Sequence, residues 1–214
     1  MSPVDDRTRQ GEMSPDLKSA PTKSQATNAR IIAMAKSLFV SRNYAEVTTD
    51  MIARAAEVTK GGLYHHFSSK EQLYITMMLD DLEHKHQLFG EAVAMTGSCR
   101  DRLARLTGDY LRLPAEEREL THLVRRDINS FSGEERQTLV QAYQQALPRQ
   151  VQAIIEDGIR DRELAPGDAR ILAWSFVALV EVIISDYAGN VFPSVDAGLD
   201  HVLGLFFHGT ANPT

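Results

Sequence analysis

Thr48-Thr49-Asp50-Met51-Ile52-Ala53-Arg54-Ala55-Ala56-Glu57-Val58-Thr59-Lys60-Gly61-Gly62-Leu63-Tyr64-His65-His66-Phe67 decides the reading of this chain. Ile52, Ala53 and Ala56, then Val58, Leu63 and Phe67, recur at helical spacing, which predicts two short helices hinged near Val58 that bury one shared face. The opposite side collects Thr59, Lys60, Gly61, Tyr64 and His65, a polar, aromatic and cationic set. A helix that begins with small or hydrogen-bonding residues, a lysine among them, fits the major groove and offers its free N–H groups to phosphates. Thr49, ahead of Asp50 and the apolar run, suits the N-cap of the first of these helices, and its hydroxyl and that of Thr48 are candidates for a phosphate contact. Gly61 and Gly62 would each cost about 1 kcal/mol against Ala in a helix interior, and close approach to a DNA backbone explains why side chains are missing there.

The stretch resembles the TetR family of bacterial transcriptional repressors. That family's pattern, T-x-x-x-I-A-x-x-A-G-V-S-x-G-x-L-Y-x-H-F-x-S-K-E-x-L, is met at Thr49, Ile52, Ala53, Ala56, Val58, Thr59, Gly61, Leu63, Tyr64, His66, Phe67, Ser69, Lys70, Glu71 and Leu73. One position departs from it: Glu57 replaces the usual turn glycine, and a left-handed turn there would cost Glu roughly 1–2 kcal/mol relative to Gly. The resemblance implies that Tyr64 and Lys70 meet the DNA backbone and that His66 lies beside the core, with His65 turned toward the DNA. It also implies nine helices, the last two packing against their copies in a second chain, and release from the operator by an effector.

Composition fits an all-α chain: 43% of its 214 residues are apolar, aromatics are sparse, and apolar periodicity at three to four residues runs from Ile31 to Phe207. The architecture expected is an N-terminal helix-turn-helix domain at 25–72 and a helical ligand-sensing and dimerising domain at 73–214, preceded by a disordered arm at 1–24 that carries Pro3, Pro15 and Pro21. The formal charge of −6 conceals a division, because residues 22–75 carry +3 while residues 76–214 carry −8. An acidic body repels phosphates except where the basic module faces them, which orients docking on double-stranded DNA. A lone cysteine, Cys99, permits no intrachain disulfide; with no charged-then-apolar leader, a cytoplasmic location follows. The longest apolar run, Ile171 to Val180 around Ser175, is too short for a membrane span.

Along the chain, a first helix is expected from Thr27 to Asn43, burying Ile31, Ile32, Ala35, Leu38 and Phe39. Two overlapping capping boxes, Ser68 with Glu71 and Ser69 with Gln72, open a long helix through Leu88. Further helices are expected at 100–113, 116–131, 133–162, 166–189 and 196–208, separated by Pro114, Gly133, Pro166-Gly167 and Pro193. Leu172, Phe176, Leu179, Ile183, Leu199, Val202, Leu203, Phe206 and Phe207 are more apolar surface than two exposed terminal helices leave in water, so a homodimer is expected.

No nucleophile elbow, phosphate-binding glycine loop, paired cysteine motif or zinc-protease signature is present, so neither enzymatic activity nor a cofactor is expected. His65 and His66 point about 100° apart on a helix and the remaining histidines are dispersed, so no metal site is expected either. A ligand cavity is expected in the body, lined by Tyr110, Phe131, Tyr143, Trp174, Ala178 and Glu181, with Glu181 either paired to an arginine, at the dimer interface or facing the cavity. The chain reads as a repressor that binds a pseudo-palindromic operator as a dimer and is released by a small lipophilic effector; the alternative is a DNA-binding regulator without a ligand, constitutive or activating.

Overall fold

The computed structural model describes residues 22–185 and 191–209, so the expected arm at 1–24 lies outside it except for its last three residues. Among the described residues there are ten α-helices and no strand. They are α1 (Lys23–Ser41), α2 (Thr49–Ala55), α3 (Lys60–His66), α4 (Lys70–Ala94), α5 (Cys99–Arg112), α6 (Ala115–Asp127), α7 (Gly133–Ala146), α8 (Pro148–Arg160), α9 (Ala169–Ile184) and α10 (Val195–His208), with a 3-10 turn at Ile128–Ser130. Three limits differ from expectation. The helix expected at 166–189 starts at Ala169, because the Asp168 side chain caps it by accepting from Arg170 and Ile171 N–H, and residues 186–189 lie outside the described ones. α1 begins four residues before Thr27, because Thr22 and Gln25 form a reciprocal capping box, and the pattern expected as one helix over 133–162 is broken between Leu147 and Pro148. Proline has no N–H and serves as the first residue of α8, so ten helices stand among the described residues where nine were expected.

The apolar residues form two cores joined along α4. In the first, Ile31, Ala35 and Phe39 of α1 and Ile52, Ala53 and Leu63 of α2 and α3 pack on Leu73, Tyr74 and Met77 of α4, with Leu120, Leu123 and Val124 of α6 closing the far side. In the second, Phe89 and Ala92 from the other end of α4 pack among α5, α8, α9 and α10. The core of the helix-turn-helix is thus continuous with the body, and a boundary at residue 72 falls inside α4. Between the two cores Lys85 is buried, donating to the Asp81 carboxylate one turn back and, at 2.7 Å, to the Glu117 carbonyl of α6. Among the described residues no helix is long and apolar enough to cross a membrane.

Candidate nucleic-acid interface and ligand pocket

The candidate recognition surface is built by the turn between α2 and α3. Ala56 caps α2, Glu57 follows at φ +53°, and Val58 N–H donates to Ala53 O at 2.9 Å while Glu57 N–H donates to Arg54 O at 3.2 Å. These two bonds make the left-handed C-terminal motif that glycine normally fills, here carried by glutamate. Thr48, and not Thr49 as expected, is the N-cap of α2: its hydroxyl accepts from Met51 N–H at 3.2 Å. Thr49 is the first helical residue, and its Oγ1 lies 3.4 Å from the Tyr64 hydroxyl. Thr59 caps α3 through Gly62 N–H at 3.0 Å.

Thr48, Thr59, Lys60, Gly61, Tyr64 and His65 are all exposed, and Thr49 and Gly62 are half-buried. A Cβ on Gly61 would meet no protein atom within 4 Å, whereas one on Gly62 would sit 3.2 Å from the Thr59 cap oxygen. Gly61 is therefore unconstrained by its own fold, while Gly62 keeps its side chain off the cap. Lys60 is not idle in the free chain: Nζ stands 2.9 Å from Asp50 Oδ1, and this hydrogen bond holds the lysine above its ordinary pKa. No sequence spacing singles out Asp50; the two are ten residues apart on different helices, and only the turn geometry joins them. Lys70 donates to Tyr44 O at 2.8 Å and Val47 O at 3.0 Å and sits 4.0 Å from the Tyr44 ring centre, and burial pulls its pKa below the ordinary value. It ties the α1–α2 loop to the start of α4. Of the two capping boxes, Ser69 to Gln72 N–H forms at 3.0 Å, and the Gln72 side chain reaches back to Ser68 N–H.

In the body the six expected lining residues do not converge. Tyr110 and Glu181 line a cavity of about 20 Å³ together with Thr107, Thr121, His122 and Val177. Burial pushes the Tyr110 phenol up to about 12. Glu181 is paired with Arg125, the arginine option expected for it. Phe131 and Tyr143 both belong to the first core, Phe131 stacked 5.1 Å from Tyr74 and Tyr143 6.3 Å from Trp174. Trp174 and Ala178 lie on the outward face of α9, Trp174 being 39% exposed beside a groove of about 560 Å³ that also holds Arg149 and Arg170. The residues expected at a dimer interface are also redistributed: Phe176, Leu199, Val202 and Leu203 are buried within the chain's own second core. The apolar side chains left outward are Ile171, Trp174 and Val182 on α9 and Val195 on α10.

Two family models match this geometry: residues 31–77 match bacterial regulatory proteins of the tetR family, and residues 96–187 match the tetracyclin repressor-like C-terminal domain. The chain belongs to the TetR family. It is a helix-turn-helix DNA-binding transcription regulator of that family. It is 31% identical over 99 residues to the HTH-type transcriptional repressor KstR2 of Mycolicibacterium smegmatis, a match that spans 46% of this chain and 45% of that one. Two solved structures share the fold: the FadR regulator of Bacillus subtilis in complex with stearoyl-CoA (TM-score 0.70, 19% identity, 86% of this chain and 99% of that one) and AibR in complex with isovaleryl coenzyme A and operator DNA (TM-score 0.73, 21% identity, 85% and 98%).

Proposed function

We propose that this TetR-family regulator is a repressor that binds a pseudo-palindromic operator as a homodimer and leaves it when a small lipophilic effector occupies the body. DNA binding is assigned to residues 25–72, through Thr48, Thr49, Thr59, Lys60, Gly61, Gly62, Tyr64, His65 and Lys70, and effector binding and dimerisation to the remainder, in a cytoplasmic protein. The observation that carries this reading is the double attachment of α6. Thr121 and His122 line the cavity and Arg125 pairs with Glu181, while Arg126 donates to Phe39 O at 3.0 Å and Arg42 O at 2.9 Å at the end of α1. Asp127, next in line, accepts from the hydroxyl of the core residue Tyr74 at 3.2 Å. A change at the cavity that displaces α6 is passed to the helix that braces the recognition motif.

Two recognition helices must enter major grooves about 34 Å apart at once, so a small change in their separation costs one of the two dockings. An effector that prefers the released arrangement about 100-fold supplies roughly 2.7 kcal/mol of coupling per site. The acyl-CoA ligands in the FadR and AibR complexes support an effector-responsive body. The test is binding to promoter-proximal DNA of the chain's own gene across a salt series, with Lys60→Ala and Tyr64→Phe beside the wild type. The expected result is tight, salt-sensitive binding; removing Lys60 flattens the slope of log K against log salt by about 1. Binding no tighter than to random DNA in the wild type overturns the operator assignment.

A second reading, a regulator whose body only dimerises, is favoured by one observation: a cavity of about 20 Å³ has room for about one water molecule. Stabilisation of the protein by a small apolar molecule separates the two readings.

A further inference from the structure

Resting on the effector-responsive reading, the walls of the cavity beside α5, α6 and α9 specify what chemistry enters it. Thr107 on α5 and Thr121 on α6 both line it and are 1% and 6% exposed; the Thr107 hydroxyl has no hydrogen-bond partner among the described residues, and the Thr121 hydroxyl meets none but the Tyr110 phenol beside it. A sequestered hydroxyl without a partner carries a standing penalty that an occupant able to donate or accept removes. The charged lining is as informative. Glu181 is the only carboxylate in the wall and is already paired with Arg125, while no lysine or arginine lines the cavity among the described residues. An anionic group placed there would find no lysine or arginine and would face a carboxylate, and a cation would compete with Arg125 for one already held. Beyond the Tyr110 phenol and the His122 imidazole, the rest of the wall, Val177 and its neighbours from α5, α8 and α9, is apolar.

We propose that this cavity takes a compact, neutral, apolar molecule carrying one hydroxyl or carbonyl oxygen, and that Thr107 and Thr121 recognise that oxygen. A coenzyme A thioester has to leave its phosphates outside it. At about 20 Å³ the cavity must widen to admit such a molecule. The wall that gives is at Leu147, which lines the cavity and is also the non-helical residue, φ −131° and ψ −67°, at which α7 ends and α8 begins.

The test uses the full chain and three six-ring probes of similar size: cyclohexanol, methylcyclohexane and cyclohexanecarboxylate. Binding is followed by calorimetry and by the shift in melting temperature, and operator release is measured separately on the same samples. Cyclohexanol is expected to bind, methylcyclohexane about tenfold more weakly, and the carboxylate not measurably, the tenfold being the loss of one net hydrogen bond. The Thr107→Val, Thr121→Val double variant is expected to bind cyclohexanol no better than methylcyclohexane. It should melt close to the wild type, because valine keeps the shape, removes the unpartnered Thr107 hydroxyl and gives up only the Tyr110–Thr121 contact. The proposal is overturned by a carboxylate that binds as well as the alcohol, by alcohol binding that is unchanged in the double variant, by no alcohol binding at all, or by a double variant that melts well below the wild type, which would show that the hydroxyls are already satisfied within the fold. Threonine-dependent alcohol binding that leaves operator affinity untouched keeps this inference and removes the effector-responsive reading. Operator release by a molecule that binds independently of both threonines does the reverse.

Discussion

Glu57 holds a backbone conformation that an L-residue with a Cβ resists, at φ +53°, in the turn that aims α3. Both bonds of the left-handed cap form around it, so the strain is borne in the native state and not avoided by a different turn. Glu57→Gly is expected to stabilise the chain by about 0.5–1 kcal/mol, the steric relief exceeding the extra entropy that glycine loses on folding; chemical denaturation that shows an equal or lower midpoint would refute this. The need for a left-handed residue was legible in the sequence, because the motif on either side of Glu57 is intact. The cap of α2 was not legible at single-residue precision. Thr48 and Thr49 are both followed three residues on by an apolar position of the same helix, and only the backbone decides which hydroxyl faces the first turn. The Asp50–Lys60 pair was invisible for a related reason, since no spacing rule connects two short helices across a turn.

At the scale of elements, the joint between α4, α5 and α8 rests on one buried arginine. Arg102 donates to Asp157 Oδ2 at 2.7 Å, to Val93 O at 2.6 Å and to Ala92 O at 3.4 Å, closing the end of α4 against α5 and α8. The hydrogen bond from Arg102, with Arg160 assisting, holds the Asp157 carboxyl below the ordinary carboxylate range. A depressed carboxylate contributes stability that is complete above its unfolded pKa and is lost as pH falls through its lower folded value. Asp157→Asn is therefore expected to cost about 2 kcal/mol at pH 7, less than a fully buried pair because Asp157 keeps some water. The gap between variant and wild type should narrow below about pH 4. Urea unfolding at pH 7 and pH 3 checks this, and an equal gap at both values would place the loss in packing. Helix limits were mostly legible because Gly133, Pro114 and the Ser69 cap are local signals. The break at Pro148 was a local signal too, but the apolar period carries across it, with Tyr143, Leu147 and Val151 at i, i+4 and i+8, so the period outweighed the proline.

For the whole molecule, the outward apolar stripe of α9 is what remains to be covered. Ile171 and Val182 are each 60% exposed, with Trp174 and Ala178 between them on the same face. The sequence announced an excess of apolar residues in α9 and α10, but a helix that is apolar nearly all round does not reveal which side turns inward, so several residues expected at an interface became core. Val182→Glu puts a charge in the middle of the stripe. It is expected to weaken self-association at least 100-fold and operator binding with it, because two tethered recognition helices gain far more than two separate ones. Sedimentation velocity over a concentration series is the check, and an unchanged profile would mean that another face joins the copies. The stripe also carries the only tryptophan among the 214 residues. Its indole is part-wetted on a free chain, so pairing of α9 with its copy should shift the emission to shorter wavelength, and dilution under a fluorimeter, excited at the long-wavelength edge where tyrosine does not absorb, becomes a label-free titration of assembly read from Trp174 alone.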